Sequence, residues 1–217
     1  IYTFYLTGIR QSIAMTICLL AYEKAKQRKL IMFVLIVMIA FSFHKSALFF
    51  GAAYFFTKSQ KGKIYIPIYI SIFILAIIFN EQIFAYGSTV FDIDYGIETT
   101  GNGYFMFGIV AITTLLSFIF MEELEENRLD NIMLIQLNVI SMALWILRLF
   151  SRTAERVALI YMPFTILLIV ELFDLSIITK DDRLSKLINL STTVFLGLYF
   201  FYRLDGTGLL PYIPFWR

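Results

Sequence analysis

The chain is dominated by long stretches of side chains that water does not tolerate. Residues 30–43, 64–79, 104–120, 132–147, 157–170 and 187–202 are nearly free of charge, and each is long enough to span, or nearly span, a bilayer as a helix. Because these runs are continuously apolar, they exclude a β-barrel, whose strands alternate apolar and polar residues. A soluble domain carries about a quarter of its residues as charge, whereas this chain carries 16%. The expected fold is all-α, a polytopic transmembrane helical bundle forming a single integral membrane domain over residues 1–217. The chain begins with Ile1 and has no signal-peptide pattern, so it reads as a piece of a longer protein with earlier transmembrane helices missing. The lone Cys18 sits inside an apolar helix, which rules out a disulfide framework or a zinc motif.

Lysine sets the expected topology. Basic loops at 23–29 and 58–63 are cytoplasmic by the charge rule, so residues 30–57 must enter the membrane and return. One helix there would be about 42 Å long, too much for a single span, whereas two give about 21 and 18 Å. The break falls at Phe43-His44-Lys45-Ser46, the polar group within that stretch. The expectation is a short membrane-dipping helical hairpin with His44 at the bottom of a dip open to the outside. Residues 80–103 carry Glu81, Asp92, Asp94 and Glu98 without lysine or arginine, which makes that loop external. Residues 121–128 read as a solvated acidic loop inside.

With this topology, eight lysines and three arginines lie inside, against one lysine and six arginines outside. Arginine on the outer face runs against the usual bias. Arg148, Arg152 and Arg156 recur at a spacing of four, so if helical they share one face, drifting about 40° per step. Arginine keeps its charge and offers a planar fork of donors suited to phosphate. The alternative is a snorkelling cluster that marks the end of a span. Arg10 and Gln11 stand at the outer start of the first run, where a helix N-terminus already favours anions. His44, the only histidine, suits a general base or a structural hydrogen bond. Ser46 has no readable Ser-His-Asp context. Asp92-Ile93-Asp94 looks like a metal-holding aspartate pair but falls on the outer side, and Gly101-Asn102-Gly103 reads as a turn. No Walker motif, dinucleotide fingerprint or metal-ligand cluster is present.

Gly8-Ile9-Arg10-Gln11 with Ala14, then Phe43-His44-Lys45-Ser46-Ala47, later Ser151-Arg152 and the closing Leu209-Leu210-Pro211-Tyr212 together resemble the EpsG family of bacterial membrane proteins. Where that family has an aromatic pair after Ser-Arg, this chain has Glu155-Arg156, with Tyr161 further on. The resemblance implies a multi-pass protein of the bacterial inner (cytoplasmic) membrane, similar to the Wzy-type polymerases of exopolysaccharide, capsule and O-antigen. Such an enzyme joins polyprenyl-diphosphate-linked repeat units on the external face, as a metal-independent membrane glycosyltransferase without a cofactor. On that reading His44 and Arg152 are catalytic, and Arg10, Gln11, Arg148 and Arg156 bind substrate. The partners implied are the lipid-diphosphate-linked glycan, membrane lipid and other polysaccharide-assembly proteins, with no nucleic acid. Two alternatives use the same residues: a transporter (flippase) of lipid-linked oligosaccharide, and a membrane O-acyltransferase acting on the glycan through His44.

Overall fold

Helix α1 (Tyr2–Lys26) is apolar for most of its length and ends in Lys24 and Lys26, which complement the negative end of the helix dipole. The structure, a computed structural model, describes residues 2–57, 103–127, 130–150 and 154–174, together with 71, 74, 75, 78, 79, 81, 82, 186, 190, 191, 193, 194, 197 and 198. Among the described residues every element is helical and there is no strand. Most of the expected spans at 64–79 and 187–202, the basic loop at 58–63, the acidic residues Asp92, Asp94 and Glu98, and the tail lie outside them. The chain divides into two compact units, Ile1–Leu172 and Phe173–Arg217. In the second unit the described residues from 186 to 198 are helical. The first unit contains every residue of the candidate site.

After α1 the backbone turns through Arg28, which takes a left-handed φ of 55°. The Arg28 N–H donates to the Ala25 carbonyl and the Lys29 N–H to the Lys24 carbonyl, the double closure that usually needs glycine at this position. Helix α2 (Leu30–Phe43) then returns against α1. The contact is small on large. Ala14, Cys18, Ala21 and Ala25 are buried on α1, where small side chains let the backbones approach, while Phe33, Val37 and Ala40 are buried on α2.

His44 breaks the run, as expected. Its backbone is extended, and the chain turns back as a 3₁₀ helix, Lys45–Thr57. At about 2.0 Å per residue this leg reaches ~26 Å, longer than the ~18 Å of the α-helix expected there. The legs are antiparallel: Phe33 packs on Phe50 and Tyr54, and the Tyr54 hydroxyl donates to the Arg28 carbonyl at 3.1 Å.

Helices α3 (Tyr104–Ile119), α4 (Met121–Asn127), α5 (Asp130–Arg148) and α6 (Ala154–Asp174) follow. The expected acidic loop is therefore the helix α4. It buries Met121 and Leu124 beneath exposed Glu122 and Glu126, an amphipathic pattern that the density of glutamate hides. Helix α5 is central, with residues 131–139 all buried. Val110, Trp145, Ala158 and Met162 form a shared core of α3, α5 and α6. Polar side chains pair across that bundle: Asn138 Nδ2 donates to Thr114 Oγ1 at 2.9 Å, and Thr165 Oγ1 to Ser141 Oγ at 3.4 Å.

Among the described residues two helices, Asn131–Arg148 and Ala154–Phe173, are long and apolar enough to cross a membrane. Helix α2 is shorter but apolar all round, and leaves Ile31, Met32, Leu35 and Ile39 more than half exposed. A helix apolar on every face is at home in a core or in lipid, not in water.

Candidate functional site

Gln11 is buried on α1, and its Nε2 donates to the carbonyl of Arg156 at 3.0 Å. Further along the same pair of helices, the rings of Tyr22 and Phe164 lie 5.2 Å apart. Helices α1 and α6 therefore run side by side in one direction, with Arg10 and Gln11 of α1 level with Arg156 at the start of α6. Arg10 and Arg156 are both exposed there. The N-terminal argument for Arg10 does not hold, because α1 begins at Tyr2. The apolar residues before Gly8 continue the helix and leave Arg10 in its body.

The hairpin brings His44 to this end. His44 is partly buried, and the charge of Arg156 acts on its imidazole. The His44 N–H donates to the Ala40 carbonyl at 3.0 Å, and its own carbonyl accepts from the Ala47 N–H at 3.0 Å, so the main chain on either side of the ring is fixed. Aromatic packing secures the return leg. Phe50 stacks on Phe164 at 5.0 Å and tilts against Tyr161 at 5.8 Å, while the Tyr161 hydroxyl donates to the Phe49 carbonyl at 2.8 Å. Two residues after His44, the buried Ser46 hydroxyl has no hydrogen-bond partner among the described residues.

The arginines do not form one helical face. Helix α5 ends at Arg148, Leu149 and Phe150 form a turn, and α6 starts at Ala154. Arg148 and Arg156 thus belong to different helices and different surroundings, and Arg152 lies outside the described residues. Arg148 is 5% exposed, and its Nε meets Glu155 Oε2 at 2.7 Å. The guanidinium also packs on Gly103, where a Cβ would come within 3.4 Å of Arg148 Cζ.

The arrangement joins Arg10-Gln11, His44 and Arg156, which the sequence holds far apart. It offers fixed positive charge, an imidazole and an amide at one end of the bundle. It does not bring Arg148 to the surface. Sequence reasoning missed Glu155 and Gly103; the opposite charge seven positions after Arg148 was the available signal. Among the described residues no group of three His, Cys, Asp or Glu side chains could hold a metal ion.

A family model, that of the EpsG family, matches residues 1–214. No curated protein matches the chain, and no solved structure does.

Proposed function

The chain belongs to the EpsG family, and from that premise we propose that it is a Wzy-like polysaccharide polymerase. Membership supports a membrane protein of polysaccharide biosynthesis. The finer reading is a multi-pass enzyme of the bacterial cytoplasmic membrane that joins polyprenyl-diphosphate-linked repeat units on the external face. The observation that carries it is the tie between Gln11 and Arg156 with His44 alongside. Three motifs distant in sequence meet at one end of apolar helices, where a lipid-borne anion would present its charge.

In this mechanism the acceptor sugar hydroxyl attacks the anomeric carbon of the donor glycan. The new C–O bond forms as the bond from that carbon to the diphosphate oxygen breaks. Arg10, Arg152 and Arg156 take the charge of the departing lipid diphosphate, since fixed donors aimed at developing charge give much of an enzyme's rate. His44 accepts the hydroxyl proton, or holds the diphosphate by a hydrogen bond. Gln11 orients Arg156 through its carbonyl. The anomeric carbon passes directly from the diphosphate oxygen to the acceptor oxygen, so no covalent glycosyl-enzyme intermediate is invoked.

The test is Arg152→Lys in cells lacking the wild-type copy. Lysine keeps the charge but loses the fork. Shortened polysaccharide at normal membrane levels of the protein supports the reading, and unchanged chain length removes Arg152 from the site.

A further inference from the structure

A charged side chain is buried at a cost of several kcal/mol unless it is paired, so the surroundings of Arg148 need a physical reason. Its partner Glu155 is 37% exposed at the side chain, whereas Arg148 is 6% exposed. The pair links the last turn of α5 to the first turn of α6. Gly103 provides the room. A Cβ there would lie 3.3 Å from Arg148 Cγ and 3.4 Å from Cζ. The φ of Gly103 is −69°, which any residue adopts, so a side chain there would press on Arg148 by a few tenths of an ångström without straining the backbone.

Glu155 immediately precedes Arg156, whose carbonyl is held by Gln11 on α1. The first turn of α6 is therefore attached on two sides. An ion pair from α5 holds residue 155, and a hydrogen bond from α1 holds residue 156. A guanidinium binds phosphate through a directional fork, and an error of about 1 Å in the placement of a catalytic group can cost ~10²-fold.

We propose that Glu155, held by Arg148 in the space left by Gly103, is a positioning residue for Arg156, setting this guanidinium where a lipid diphosphate binds. The proposal rests on the diphosphate reading above. It gives the two arginines different work: Arg156 meets the anion, and Arg148 acts through Glu155 without touching it.

The experiment titrates the full chain, purified in detergent, with farnesyl diphosphate as the probe and calorimetry as the readout. The proteins are wild type, Arg156→Ala, Glu155→Gln, the double variant Glu155→Gln/Arg156→Ala, and Gly103→Ala. Thermal unfolding is recorded for each. Glu155→Gln keeps a hydrogen-bond acceptor and removes the charge, so the unfolding temperature is expected to fall as Arg148 loses its countercharge, and binding by the folded protein to weaken about tenfold. In the Arg156→Ala background the same change is expected to add nothing, because a residue acting through Arg156 has no route left. Gly103→Ala, with both charges intact, is expected to weaken binding by about threefold and carries the same test if Glu155→Gln does not fold. A loss in the double variant equal to the sum of the single losses would overturn the positioning role, as would wild-type binding by both Glu155→Gln and Gly103→Ala. If wild type fails to bind the probe, or Arg156→Ala binds it as tightly as wild type, the diphosphate reading itself falls and takes this role with it.

Discussion

Gln11 Nε2 donates to the main-chain carbonyl of Arg156 at 3.0 Å, joining positions 145 residues apart in sequence. Because the bond uses the carbonyl of Arg156, it fixes the helix turn and leaves the guanidinium for other partners. Gln11→Ala is expected to cost about 1 kcal/mol of stability. Gln11→Glu should cost more, since a carboxylate there turns an acceptor toward an acceptor. Unfolding in detergent checks the order. Equal stability of Gln11→Glu and wild type would contradict it.

The return leg of the hairpin depends on Tyr161. Its hydroxyl donates to the Phe49 carbonyl at 2.8 Å, and its ring lies against Phe50. Tyr161→Phe keeps the ring and removes the hydrogen bond from the hydroxyl to that carbonyl, for an expected loss of about 1 kcal/mol. The loss should appear as faster amide exchange confined to Lys45–Thr57, not as general softening. Exchange raised equally in α3 would count against it.

Arg28 adopts φ 55° at the turn that launches the hairpin. A side chain in this region costs roughly 1 kcal/mol relative to glycine. Arg28→Gly keeps the carbonyl that accepts from Tyr54, so it is expected to raise stability by about that amount. A lowered unfolding temperature would show that the Arg28 side chain contributes more than its backbone strain costs.

Asn138 and Thr114 pair inside the α3–α5–α6 bundle, both nearly inaccessible. Between membrane helices such bonds contribute about 0.6 kcal/mol on average, up to ~1.7. A double-mutant cycle with Asn138→Ala and Thr114→Ala is expected to return a coupling in that range. Zero coupling would mean that the pair finds equivalent partners when separated.

Much of the architecture could be read from the sequence. A run of apolar residues from 30 to 57 is too long for one span, and Phe43-His44-Lys45-Ser46 is where it had to turn. The 3₁₀ character of the return leg carried no such sign, because its composition is that of an ordinary apolar helix. The arginine spacing of four promised one face only if a single helix ran through 148–156. The turn at Leu149-Phe150 removed that condition and sent Arg148 into the interior, to Glu155 and Gly103. For the candidate site, the residues were legible as motifs, but their meeting was not. Gln11 beside Arg156 is a tertiary contact between α1 and α6 that no local pattern encodes.

Polymerisation by this end of the bundle is tested most directly by the polysaccharide length profile of cells carrying wild type, Arg156→Ala or His44→Ala as the only copy. Membrane levels of the protein are measured in parallel. Single repeat units are expected to accumulate in both variants at normal protein levels. Long chains in both variants, indistinguishable from wild type, would contradict this mechanism and leave the exposed arginine and the hairpin imidazole with no part in polymerisation.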